Sequence, residues 1–206
     1  MKPHVIGITG RSGSGKTTLV KILLEQFGAD HLSVLSLDDY YKARDAQKID
    51  GEGYYNFDLP GSFDLDKLYA DLSFLLSGRE VIIPSYQYNT SAKSEYKTIK
   101  PASIILVEGL FINYDPKINE YIDHNVFIKL DKETSYQRRL SRDINQRDYQ
   151  QPEIQHRFFR HAEPAYNKYI QEYELLADCL LNSSINVSED PSFHKLMAHI
   201  KQHIKK

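Results

Sequence analysis

Short apolar runs alternate along this chain with longer stretches in which apolar residues recur every three or four positions, the pattern of buried strands separated by amphipathic helices. His4 to Thr9 predicts a strand, and a helix follows from about Lys16 to Phe27, with Leu19, Ile22, Leu23 and Phe27 on one face. Ser33 to Leu37 predicts a second strand. Leu65, Leu68, Leu72, Leu75 and Leu76 mark one side of a helix, with Asp64 placed to cap its start and Gly78 just past its end. Val81 to Ile83 reads as another strand, leading into a tyrosine-rich segment, Tyr86 to Tyr96, that suits a hairpin over about 84–98. Ile104 to Val107 has the most convincing buried-strand pattern, and Asp115-Pro116 reads as a cap followed by proline at the first helical position. Val126 to Leu130 predicts a further strand. Asp131 can cap a long basic helix through Arg147, and Asp178 to Leu181 predicts a last strand before a C-terminal helix. Strands alternating with helices predict an α/β fold with a parallel sheet flanked by helices. No internal repeat, low-complexity tract or linker interrupts the pattern, so residues 1–206 read as one domain.

Composition narrows the function classes. The chain has 206 residues, 41% hydrophobic, enough for a sizeable single core. A net charge of -2 makes no electrostatic case for nucleic acid or an anionic membrane. The lone Cys179 excludes an internal disulfide and cannot by itself build a zinc site. No apolar run approaches the roughly 20 residues of a membrane span. Met1-Lys2-Pro3-His4 lacks the apolar stretch of a signal peptide. A cytoplasmic protein is the expectation.

The chemistry starts at Gly10-Arg11-Ser12-Gly13-Ser14-Gly15-Lys16-Thr17, which fits the P-loop pattern G-x-x-x-x-G-K-[ST] at every fixed position, between a strand and a helix as the motif requires. Glycines let backbone N–H groups turn toward phosphates, and the helix N-terminus adds partial positive charge. Lys16 would reach the outer phosphates and the Thr17 hydroxyl would ligate Mg²⁺. Two further strands run into acids: Leu37 into Asp38-Asp39, and Val107 into Glu108-Gly109. In such sheets ligands bind beyond the carboxyl ends of the strands, so these acids are placed toward the phosphate site. Glu108 stands where an acid completes the Mg²⁺ shell, directly or through water, and Asp38 is placed to accept an acceptor hydroxyl's proton. Phosphoryl transfer asks for positioning more than basicity, so an ordinary carboxylate can serve. Taken alone, Asp38 and Asp39 would read equally well as solvated turn residues or a cap.

These motifs occur in a register with Ser36-Leu-Asp-Asp-Tyr-Tyr41, Asn56-Phe-Asp-Leu-Pro-Gly-Ser-Phe-Asp64, Ile83-Pro-Ser-Tyr-Gln-Tyr88, Val107-Glu-Gly109 and Arg138-Arg-Leu-Ser-Arg-Asp143. Together the strings resemble the uridine–cytidine kinase family over nearly the whole chain, and Asn56 to Asp64 is the discriminating piece. The resemblance implies a P-loop NTPase fold with a β-hairpin insertion at the acceptor site and a helical lid at about 132–160. It implies ATP or GTP and Mg²⁺, with phosphate contacts from Gly10 and Ser12 through Thr18 and lid contacts from Arg142 and Arg147. It assigns catalysis to Asp38, Lys16 and Arg139, and the metal to Thr17, Glu108 and Asp38. The acceptor nucleoside would meet Asp38, Tyr41 and Asp58, the last gripping ribose hydroxyls. Arg139 would contact sugar and phosphate, and Tyr86 and Tyr88 would pack on the base. Ser91 stands at a family histidine that reads the pyrimidine edge. Arg147-Asp148-Tyr149 replaces an Arg-Gly-Arg string, and Arg157 replaces a glutamine. Ribose-side positions thus match while base-side positions differ, and uridine activity is expected to be weak. Kin of this family are often tetramers, which leaves a homo-oligomer open.

Other readings are weighed against this one. A sister P-loop kinase acting on nicotinamide riboside or another ribose-containing or small alcohol substrate would share Asp38 and Glu108. A regulatory nucleotide switch would need Asn-Lys-x-Asp after a strand, and Asn167-Lys-Tyr-Ile170 lacks the aspartate. His199 and His203 share a helix face without an acid, and with Lys201, Lys205 and Lys206 they read as a solvated basic helix end.

Overall fold

The computed structural model describes residues 2–86, 95–184 and 186–204. Tyr88 and Ser91 lie outside the described residues. The chain runs β1 (His4–Gly10), α1 (Lys16–Phe27), β2 (Leu32–Ser36), a 3₁₀ turn (Leu37–Tyr40), β3 (Lys48–Ile49) and β4 (Tyr55–Asn56). It continues through α2 (Leu65–Leu76), β5 (Val81–Ser85), β6 (Glu95–Ile99), β7 (Ile104–Glu108), α3 (Pro116–Asn119) and β8 (His124–Lys129). After α4 (Lys132–Arg147) come α5 (Gln151–Arg157), a π turn (Phe158–Ala162), α6 (Glu163–Tyr169), β9 (Cys179–Asn182) and α7 (Pro191–His203).

Five strands form one parallel sheet in the order β2-β7-β1-β8-β9. Its strands are apolar on both faces because both are covered. Val5, Leu35, Val107 and Phe127 face a core closed by Leu68, Leu72 and Leu75 of α2 and by Phe111 and Tyr166. Ile6, Ile8, Leu106 and Ile128 face a second core, against Leu19 and Leu23 of α1 and Phe193, Leu196 and Ile200 of α7. The helix starts follow local rules: Asp64, Asp115 and Asp131 accept hydrogen bonds from Lys67, Lys117 and Thr134 backbone N–H groups.

The strand expected at Val81 to Ile83 is not part of the central sheet. It is one arm of an antiparallel ribbon with β6, in register Val81↔Ile99. The ribbon is tied to the turn after β2 through Asp39, which accepts from the Tyr86 N–H (3.1 Å) and pairs with Lys97 at 2.6 Å. Of the solvated end expected for α7, Lys201 is exposed and Lys205 and Lys206 lie outside the described residues, but the reading of the two histidines is corrected. His199 and His203 are half-buried and pack against His4 and His124, which open β1 and β8. Helix spacing could not show this, because the partners come from the sheet.

Candidate active site

The loop after β1 is shaped by three glycines with positive φ: Gly10 (145°), Gly13 (73°) and Gly15 (94°). A Cβ at Gly10 would sit 2.5 Å from the Ile128 carbonyl oxygen, and one at Gly13 would crowd the Ser135 carbonyl at 3.2 Å. Glycine is therefore required by close packing as well as by conformation. Helix α4 docks on this loop, with Ser135 Oγ donating to the Ser12 carbonyl at 2.6 Å. Whereas α2, α3, α4 and α7 each start with a capping aspartate, α1 starts at the left-handed Gly15 with no side-chain cap among the described residues. Its first N–H groups are thus left for an external anion. Lys16 Nζ donates to the carbonyls of Gly10 and Arg11, both at 3.1 Å. Burial pushes its pKa down, partly offset by the charges of Glu108 and Asp38.

Strand register aligns the acids with this loop. Glu108 lies beside Ile8 of β1 and Ser36 of β2. It is 5% exposed, and Ser36 Oγ donates to its Oε1 at 2.6 Å. Burial and the neighbouring Asp38 charge push the Glu108 pKa up to about 7, against the pull of Lys16. Asp38 lines the cleft from the 3₁₀ turn, while Asp39 is buried and holds the ribbon.

Across the cleft, Arg139 of α4 donates through both terminal nitrogens to Asp58, at 3.1 Å each. Arg139 Nε also lies 3.4 Å from Asp143. Burial alone would lower the guanidinium's pKa, but Asp58 and Asp143 outweigh it, and it is raised. Asp58 is positioned after β4, where its N–H donates to Asn56 Oδ1 at 2.9 Å. Aromatic rings crowd the same corner: Tyr41 lies 4.9 Å from Tyr86, 5.9 Å from Phe57 and 4.2 Å from Phe63, measured between centroids. Arg157 sits over the Phe57 and Tyr149 rings, at 5.5 and 4.7 Å.

A cleft of about 280 Å³ is lined by Ser12, Gly13, Gly15, Lys16, Thr17, Thr18, Asp38, Tyr41, Asp58, Tyr86, Glu108, Arg139, Arg142 and Arg147. These are candidate residues drawn from almost the whole chain. Gly10 and Ser14 shape the loop from behind the lining, and Ser14 Oγ is buried without a protein partner among the described residues. Tyr149 and Arg157 also line the cleft.

Sequence reasoning missed four contributors. Phe57 and Leu110 line the cleft, and Phe57 lies inside the string Asn56 to Asp64 where it could have been noticed. Asp143 is buried and answers three arginines: Arg142 Nε at 2.8 Å, Arg147 at 3.3 Å and Arg139. Arg11, inside the loop motif, pairs with Glu163 and stacks 3.6 Å from the Tyr166 ring centroid, fastening the loop to α6.

The residues fit a magnesium–nucleotide. The uncapped α1 start and the basic α4 face suit phosphates. Glu108, Asp38 and the Thr17 hydroxyl form the oxygen-only donor set that a hard cation prefers. A cation there would also offset the repulsion that raises Glu108.

A family model for the phosphoribulokinase / uridine kinase family matches residues 5–187. A uridine kinase of Clostridium perfringens is 32% identical over 181 residues, covering 87% of both chains. One of Deinococcus deserti is 29% identical over 203 residues, 98% of this chain and 97% of its own. A solved structure described as a possible uridine kinase, from Bacillus stearothermophilus, shares the fold with a TM-score of 0.61 at 20% identity, over 87% of this chain and 89% of that one. With its P-loop, strand-end acids and parallel sheet in place, this chain belongs to the phosphoribulokinase / uridine kinase family of P-loop phosphotransferases.

Proposed function

We propose that this protein transfers the γ-phosphoryl group of ATP or GTP to the 5′-hydroxyl of a nucleoside. The observation that carries this reading is the Asp58–Arg139 pair, which shares one cleft with Asp38 and the phosphate loop and is flanked by Tyr41, Phe57 and Tyr86. A carboxylate that already accepts from arginine keeps lone pairs for a vicinal diol, and aromatic walls suit the flat base beyond it. Asp38 takes the proton of the attacking hydroxyl while the γ-phosphoryl moves to that oxygen and the nucleoside diphosphate leaves. Lys16, Arg139, Arg142 and Arg147 balance the charge on the transferring group. Mg²⁺, held by Thr17, Glu108 and Asp38, would supply charge neutralisation on the donor phosphates.

A panel of uridine, cytidine, nicotinamide riboside and purine nucleosides, each with ATP and with GTP, tests the reading by product formed. At least one ribonucleoside should be phosphorylated, and its 2′,3′-dideoxy analogue should be poor. Turnover of small non-sugar alcohols with no nucleoside product would overturn it.

A further inference from the structure

At the N-terminal end of the sheet's strands, opposite the cleft, four histidines from three parts of the chain meet. His4 opens β1 and His124 opens β8, and the parallel register that pairs Ile6 with His124 puts both at the strands' N-terminal ends. Helix α7 lies beside β9 and lays His199 and His203 over them. His4 Nε2 and His199 Nε2 are 2.9 Å apart. The rings of His4 and His203 stack at 3.8 Å and those of His124 and His199 at 4.0 Å. One ring nitrogen each of His4, His199 and His203 lies within 4.8 Å of the others.

We propose that His4, His199 and His203 form a binding site for a first-row divalent transition metal such as Zn²⁺, which joins α7 to the central sheet.

The surroundings prepare two of these nitrogens for this role. His203 Nδ1 donates to the His199 carbonyl at 2.9 Å, so its other nitrogen carries the lone pair. Asp123 Oδ2 is fixed by the Val5 N–H at 2.8 Å and stands 3.6 Å from His4 Nδ1. At 3.6 Å Asp123 is an ion-pair neighbour of His4, and a small ring shift would let it take the Nδ1 proton, the usual support of a metal-bound imidazole. Tetrahedral Zn–N bonds of about 2.0–2.1 Å separate ligand nitrogens by about 3.3 Å; the His4–His199 pair at 2.9 Å need open by only a few tenths of an ångström, whereas His203, stacked on His4 at an interplanar angle of 12°, must turn its ring to bring its nitrogen into the same shell. The ligands are imidazoles, which suit Zn²⁺, Ni²⁺ or Cu²⁺ rather than Mg²⁺.

A second His-rich group, Asp50 with His156 and His161, has both imidazoles held on one carboxylate oxygen: Asp50 Oδ2 meets the two Nε2 atoms at 2.6 and 2.7 Å. It serves as the internal control. Chelator-treated full-length protein is titrated with Zn²⁺ at pH 7.5 in excess Mg²⁺, using a chromophoric competitor and the thermal midpoint as readouts. One equivalent should bind at micromolar Kd or tighter and raise the midpoint. His199→Gln and the milder His203→Gln should each weaken binding at least about a hundredfold while leaving kinase activity unchanged, and His156→Gln should leave binding intact. Co²⁺ should give the visible spectrum of a tetrahedral nitrogen site. Weaker binding than about 100 μM, or binding that survives both His199→Gln and His203→Gln but falls in His156→Gln, would overturn the assignment.

Discussion

Glu108→Gln exchanges a buried carboxylate for an amide of the same shape, and the structure sets the size of the effect. Ser36 Oγ retains an oxygen acceptor, so packing and the 2.6 Å hydrogen bond need not change. What changes is charge. The folded-state pKa of about 7 lies above the ordinary 4.5 because burial and Asp38 disfavour the anion. Ionising Glu108 therefore lowers stability as pH rises from about 4.5 to about 7, and the loss is complete above that. At 1.36 kcal/mol per tenfold, the full penalty is about 3 kcal/mol. Urea unfolding without magnesium or nucleotide should find the Glu108→Gln variant more stable than the wild type by about 3 kcal/mol at pH 8.5, shrinking to less than about 1 kcal/mol at pH 5. Magnesium with nucleotide should stabilise the wild type more than the variant, because the cation relieves repulsion that the amide lacks. Turnover should fall although stability rises. Equal stabilities at pH 8.5, or a gap that does not depend on pH, would refute the reasoning.

Four further substitutions separate roles in and beside the cleft. Asp38→Asn should lower kcat by about 10²–10⁴, the range for losing a positioned base, while Asp39→Asn should act far less on kcat and chiefly loosen the ribbon held through Lys97 and Tyr86; steady-state kinetics of both show whether the order holds. Asp58→Asn keeps an acceptor for Arg139 but weakens a charged contact to the sugar, so acceptor KM should rise roughly tenfold to a hundredfold with kcat little changed; an unchanged KM would remove Asp58 from the acceptor site. Asp143→Asn leaves three arginines short of one buried negative charge and should cost about 2–4 kcal/mol in urea unfolding, and a loss below about 1 kcal/mol would show the cluster to be solvent-screened.

Much of the fold was legible because its signals are local. The phosphate loop is eight consecutive residues whose glycines are demanded by the turn itself, and Asp64, Asp115 and Asp131 cap the helices that follow them by contacts two or three residues long. The apolar runs of β1, β7 and β8 announce strands buried on both faces, and strand-end acids follow from where those runs stop. The sequence put Asp38 ahead of Asp39, but local pattern could not show what Asp39 does instead. Both lie in a 3₁₀ turn, and a ribbon of Val81–Ser85 and Glu95–Ile99 claims Asp39 through Tyr86 and Lys97. Asp58 and Arg139 are 81 residues apart, and their pairing exists only once α4 packs against the phosphate loop. Likewise, spacing along α7 relates His199 to His203 but cannot bring in His4 and His124, which the parallel register of the sheet supplies. Short-range rules therefore set the elements and the phosphate loop. The partners of each charged side chain were decided by tertiary packing, because burial makes an ion's energy depend on whatever distant group is brought beside it.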